Sequence, residues 1–362
     1  MEDDWGSDSS DDDSSGGEGI TFTVGGAAGG AGGAAAADGM AAGGMYFDEV
    51  PTPADIEFPC EVSELAFHPH QDVVAVGLVS GRIELYTYSA DAGNRRVLAI
   101  NYHKRMCRGA VFSPDGEVLY TCSSDKSVRA VDKAGVVIWE QLDAHGAACN
   151  TMLMPSESML VTGDEDGAVK LWDVRTHACA MAFDANEDFI SDFAANAALD
   201  TLLATSGDGT LSVFDLRRGK LAARSDNLED ELLSVAIIKG GKKVVVGTQD
   251  GVLCVYSWGL WGDLTDRFPG HPQSVDALLK VDEDTVATGS SDGIIRLVSI
   301  QPDKLLAVLG EHEDYPVEKL RFSRDARILG SASHDKTVKF WDTSFLVEDA
   351  GEGGGEGGGD GG

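Results

Sequence analysis

His312, Ser331 and Asp335 bring an imidazole, a hydroxyl and a carboxylate into one short stretch of chain. His145, Thr162 and Asp166 repeat the combination, and so do His271, Thr288 and Asp292. These are the base, the attacking oxygen and the orienting acid of a hydrolytic triad. Their spacing argues against that chemistry. The histidine precedes the aspartate by 21 residues in two sets and by 23 in the third, and Trp172 or Trp341 follows the aspartate by six. A nucleophile need occur only once, whereas a set recurring at fixed spacing belongs to a repeated unit. Each set is therefore expected to serve the structure of its unit rather than catalysis. His68 and His70 form a candidate metal pair, but no third ligand is in view and they end a strand. No metal or cofactor is expected.

The unit itself is easy to find. VAVGLVSGRIELYTY (74–88), YTCSSDKSVRAVD (120–132), VTGDEDGAVKLWD (161–173), ATSGDGTLSVFD (204–215), VVGTQDGVLCVYSW (245–258), ATGSSDGIIRLVS (287–299) and GSASHDKTVKFWD (330–342) are copies of one pattern. Their turn residues, Ser80, Asp125, Asp166, Asp208, Asp250, Asp292 and Asp335, are 45, 41, 42, 42, 42 and 43 residues apart. In each copy a small, apolar strand runs into a tight turn, where Asp-Gly or Asp-Lys accepts positive φ. An alternating strand follows, with Val169 and Leu171 on one face and Lys170 and Trp172 on the other. A further strand lies upstream of each hairpin, such as LAFHP (65–69) or AVFSPDG (110–116). With a linking strand, each unit offers about four strands in roughly 42 residues, the period of a propeller blade. The expectation is an all-β, seven-bladed β-propeller over about residues 54–346. The leftover strand DIEF (55–58) is predicted to complete the last blade and close the ring, removing the exposed edges. A ring closed in this way is expected to fold as a monomer.

Charge narrows the function. The formal net charge is −33. Residues 1–50 hold eleven acids and no Lys or Arg, and the chain from 348 holds five more acids, which leaves the middle at −17. The only basic blocks are pairs such as Arg217-Arg218 and Lys242-Lys243. Direct nucleic-acid binding, which needs a basic face to displace counterions, is not expected. The Gly/Ala/Ser/Asp composition of 1–50 and the Gly/Glu run of 347–362 predict disordered tails. Ser7, Ser9, Ser10, Ser14 and Ser15 lie among acids, where either phosphorylation or plain solubilisation would account for the run. No apolar run approaches ~18 residues, so no membrane span is expected, and the six scattered cysteines read as reduced thiols.

The pattern resembles the WD-repeat family, through Trp172-Asp173 and Trp341-Asp342 and their weaker forms Val131-Asp132 and Phe214-Asp215. That resemblance implies that a His, a strand Ser/Thr, the turn Asp and the Trp of a blade form a buried hydrogen-bonded set that pins its edge: His145, Thr162, Asp166 and Trp172; His312, Ser331, Asp335 and Trp341; and, without the Trp, His271, Thr288 and Asp292. Within it, the stretches DIEFPCEVSELAFHPHQDVVAVGLVSGRIELYTYS, SGDGTLSVFDLRRGKL, LCVYSWGLWGDLTDRF and GSSDGIIRLVSIQPDKLLAVLGEHEDYPVEKLRFS are similar to the WD repeat-containing protein 55 family. That resemblance implies a non-catalytic scaffold for protein–protein interaction in nucleolar ribosome biogenesis and rRNA processing. Pre-ribosome assembly factors would be its partners, and the nucleolus or nucleus its location, with the cytoplasm also open to it. The family's Lys/Arg-rich tail is replaced here by glycine and acid, so no basic import signal is visible.

Two units end in Asp-x-Arg: Trp172-Asp173-Val174-Arg175 and Phe214-Asp215-Leu216-Arg217. The longer stretch LVTGDEDGAVKLWDVR (160–175) resembles the box that docks WD-repeat receptors onto the DNA-damage-binding adaptor of cullin-4 ubiquitin ligases. Asp164 breaks one small-residue slot of that box, and Phe214 replaces Trp or Tyr in the second copy. On this reading Trp172, Asp173, Arg175, Asp215 and Arg217 contact a partner, with the guanidinium groups offering two-pronged bonds to carboxylates. The alternative function is a substrate receptor of such a ligase. An acidic channel mouth around Asp164, Glu165 or Asp188 is a further expected contact, for basic peptides.

Overall fold

At the Asp-Gly pairs the chain does turn through positive φ: Gly167 at 85° and Gly209 at 77°, with Lys126 and Lys336 adopting 71° and 70° in the Asp-Lys versions. Each turn joins the two middle strands of a blade, as where Met159–Asp164 pairs with Ala168–Asp173 and Leu160 lies opposite Trp172. The computed structural model describes residues 51–347, arranged as seven antiparallel sheets of four strands. The predicted disordered tails lie outside the described residues, Val347 apart.

Six sheets use four consecutive strands each. The seventh combines Val317–Phe322, Ile328–Ser333 and Thr337–Asp342 with Ile56–Glu57 from the front of the chain. Ile56 lies opposite Val338 and Glu57 opposite Thr337, so the predicted closure by residues 55–58 is present. Each inner strand packs against the inner strand of the next blade, and Val62–Phe67 meets Val317–Phe322 to complete the circle. Middle strands such as Val73–Leu78 and Lys243–Thr248 are buried on both faces and read as nearly unbroken apolar runs. Outer strands such as Ala178–Asp184 lie largely in solvent.

The small residues of the repeat mark the places where blades approach most closely. A Cβ on Gly163 would sit 2.6 Å from the Cβ of Ile190 in the next blade. Polar latches cross the same seams. Ser63 Oγ donates to the carbonyl of Cys107 at 2.7 Å, Asn150 Nδ2 to Ile190 at 2.8 Å and Ser234 Oγ to Val275 at 2.9 Å. His68 and His70 serve in another seam. His68 Nδ1 accepts the backbone N–H groups of His70 and Gln71, so its Nε2 carries the proton and donates to Gly116 O at 3.1 Å. His70 Nε2 bonds Pro114 O at 2.8 Å.

Candidate interaction site

The blade clusters come first, because they determine which polar groups remain for other tasks. In the last blade Trp341 Nε1 donates to Ser331 Oγ at 2.8 Å, Ser331 Oγ lies 2.6 Å from His312 Nε2, and His312 Nδ1 lies 2.7 Å from Asp335 Oδ2. The consistent proton order runs Trp341 to Ser331 to His312 to Asp335. Burial alone would raise the Asp335 pKa, but the bonds from His312 and Thr337 hold it below its usual value. Ser331 and His312 are fully buried, so neither can meet a substrate.

The third blade departs from the expected set. Trp172 Nε1 bonds Thr162 Oγ1 at 2.8 Å and His145 Nε2 bonds the same oxygen at 2.6 Å, but His145 Nδ1 bonds Asp164 Oδ2 at 3.0 Å. Asp166, predicted as the acid, is exposed. Asp164 occupies the place of Ser333 at the end of the second strand, and a carboxylate there reaches the imidazole directly. Its other oxygen accepts the N–H groups of Asp166 and Ala168. In the sixth blade His271 Nε2 bonds Thr288 Oγ1 at 2.9 Å, while Asp292 is not its partner. Arg296 takes Asp292 in a two-pronged pair at 3.0 and 2.6 Å, leaving His271 Nδ1 buried without a partner among the described residues. Burial first, and Arg296 second, lower the His271 pKa to about 4.

A fourth cluster has no Trp-Asp mark in the sequence. His103 bonds Thr121 Oγ1 at 2.9 Å and Ser127 Oγ at 3.1 Å, and Arg129 donates to His103 Nδ1 at 2.7 Å. Its signal was the spacing alone, since His103 precedes Asp125 by an interval like that of the other sets.

The two loop faces differ. One carries the loops that lead into each inner strand, together with the Asp-Gly turns, and it surrounds one mouth of the central channel. Every inner strand has a bulge at its second residue. The seven bulged residues, Ser63, Arg108, Asn150, Ser191, Leu233, Asp276 and Glu318, all line a cavity of about 180 Å³. This mouth is not the acidic site expected from the sequence. Asp164 is buried under His145, Glu165 lies 3.7 Å from Arg108, and Asp188 caps the N–H of Phe189. Arg108 and Lys319 line the cavity alongside Asp276 and Glu318, so the charges are mixed. Burial raises the Asp276 pKa, and His334 bonds Glu318 at 3.0 Å.

The opposite face carries the turns that follow each third strand, and with them both Asp-x-Arg arginines. The Arg175 side chain is 73% exposed and grips Asp173 with two bonds, at 3.1 and 2.8 Å. That grip lowers the Asp173 pKa to about 2. Arg217 is 74% exposed but does not pair with Asp215. It reaches Asp200 at 3.2 Å, and Arg218 takes Asp215 at 3.3 Å. Trp172 cannot contact a partner as the sequence suggested, because it is 4% exposed and its indole N–H is used inside the blade.

Comparison with known proteins matches this architecture. The WDR55 family model covers residues 53–346. WD repeat-containing protein 55 of Arabidopsis thaliana is 42% identical over 296 residues, 81% of this chain and 84% of that protein. The Rattus norvegicus protein of the same name is 38% identical, over 82% of this chain and 77% of its own length. The Dictyostelium discoideum homolog is 41% identical, over 82% and 72%. With the closed seven-bladed ring and the family's model matched from end to end of it, the chain belongs to the WD repeat-containing protein 55 family.

Proposed function

We propose that this protein is a non-catalytic scaffold for protein–protein contacts in nucleolar ribosome biogenesis, on the rRNA-processing side, with pre-ribosome assembly factors as partners. The observation that carries the reading is the fate of the His–Ser/Thr–Asp sets. Their hydroxyls and imidazoles are spent on holding blades together, which leaves the two loop faces and the rim as the working surfaces. Family membership supports the same reading. Depletion should make precursor rRNA accumulate on a northern blot, and an unchanged precursor profile would reject the role.

A second reading, docking onto the adaptor of a cullin-4 ligase, is favoured by one feature. Arg175 and Arg217 stand exposed on corresponding turns of neighbouring blades, each held among the described residues by a surface ion pair. The two roles are compatible. Replacing both arginines by alanine should abolish co-purification of the adaptor at unchanged melting temperature, and retained co-purification would reject this docking.

A further inference from the structure

On the face that carries Arg175 and Arg217, a cleft of about 340 Å³ opens between the fourth and fifth blades. Trp258 and Trp261 wall one side, and Arg217, Arg218, Asp200 and Asp215 the other. The two indoles stand nearly at right angles, 71° apart with centroids at 5.1 Å, and both are only partly buried. They form a corner able to receive a flat or branched apolar side chain.

The charges that line this cleft balance, Arg217 and Arg218 against Asp200 and Asp215, and two exposed lysines near it outnumber exposed Asp263, in a chain whose net charge is −33. Exposed Lys220 follows the two arginines on the next strand, and exposed Lys242 accepts the N–H of Trp258 on its carbonyl at 2.8 Å. The cleft acids are already engaged, Asp200 by Arg217 and Asp215 by Arg218. Each guanidinium keeps several N–H donors free, because a single contact uses only part of its five-donor fork. Exposed pairs of this kind also yield readily to a better-placed carboxylate. Tryptophan and arginine together are the residue types that concentrate binding energy at interfaces.

We propose that this cleft docks an acidic segment of a partner protein. One aromatic or bulky aliphatic side chain of the segment enters the Trp258–Trp261 corner, and flanking Asp or Glu residues reach Arg217, Arg218 and Lys242. The inference rests on the scaffold reading and names the chemistry of one partner. A nucleic acid is the less favoured occupant, since a long polyanion would extend past the basic patch over an acidic body.

The test is fluorescence anisotropy on the full chain, using a labelled peptide of alternating Asp and Glu with one central Trp. Binding should weaken about tenfold or more on Trp258→Ala with Trp261→Ala, and similarly on Arg218→Glu or when the peptide's Trp becomes Ala. Arg218→Glu breaks only the exposed pair with Asp215, a contact worth little, so its melting temperature should stay close to wild type, and that measurement separates a loss of binding from a folding defect. The proposal is overturned if the peptide fails to bind at about 1 mM, if Arg218→Glu binds as tightly as wild type, or if a single-stranded RNA of equal charge displaces the peptide at lower concentration. Failure here with precursor rRNA still accumulating on depletion removes the cleft assignment alone. Peptide binding with a normal precursor profile removes the ribosome role and leaves the cleft.

Discussion

His145 Nδ1 lies 3.0 Å from Asp164 Oδ2, while Asp166, two residues on, points into solvent. The carboxylate therefore enters this blade cluster from the strand rather than from the turn. Asp164→Ala would strip His145 Nδ1 and two backbone N–H groups of their acceptor at once. The loss should be about 2–4 kcal/mol of stability, while Asp166→Ala should stay within about 0.5 kcal/mol of wild type. Urea midpoints measure both. In the last blade the order is reversed, and Asp335→Ala, at the turn position, should behave like Asp164→Ala.

His271 gives a pH signature. Its pKa is near 4 in the folded protein, against 6.5 for the free side chain, because burial disfavours the cation and Arg296 repels it. Between those values the unfolded chain binds the extra proton, so stability falls as pH drops from 6.5 towards 4. The full contribution is about 3 kcal/mol at most. His334 works in the opposite sense. Glu318 raises its pKa, so its contribution is complete below pH 6.5 and fades as pH rises through the raised value. Denaturation midpoints across this range should fall less steeply towards acid in His271→Gln than in wild type. An identical slope would show that His271 is not the group responsible.

Gly163→Ala places a methyl 2.6 Å from the Cβ of Ile190, with no flexible side-chain end to yield. The blades must separate, at a cost of about 1–3 kcal/mol. Gly146 has open space around its Cβ direction, so Gly146→Ala is the matched control. Thermal melts of the two variants should differ by several degrees.

Ile56 is 5% exposed and packs with Phe58, Val338 and Phe340. Ile56→Ala should cost about 2–4 kcal/mol. Because it loosens the closing strand, it should also speed proteolysis near Thr337–Asp342 before it alters far-ultraviolet dichroism. Cleavage distributed evenly over the ring would contradict this.

The architecture was legible because each blade announces itself locally. Asp-Gly and Asp-Lys turns at a steady interval, flanked by alternating strands, leave few folds open, and the unpaired DIEF strand had one vacancy to fill. What escaped the sequence depends on contacts between blades or on single residues of register. The bulges that aim Arg108, Asp276 and Glu318 into the channel mouth leave no compositional trace. The exchange of Asp164 for Asp166 turns on a two-residue shift that spacing alone did not resolve. The cleft beside Trp258 and Trp261 exists only because the fourth blade's turn comes to rest next to the fifth blade.

The pairing of Ile56 with Val338 also has a temporal meaning. During synthesis the first strand emerges some 280 residues before its mate, so the circle stays open until the last blade has left the ribosome. Any product truncated before Thr337 would have a donor strand and nothing to pair it with. Such a chain would present unsatisfied strand edges to quality control, which makes translation through the last blade a condition for assembly.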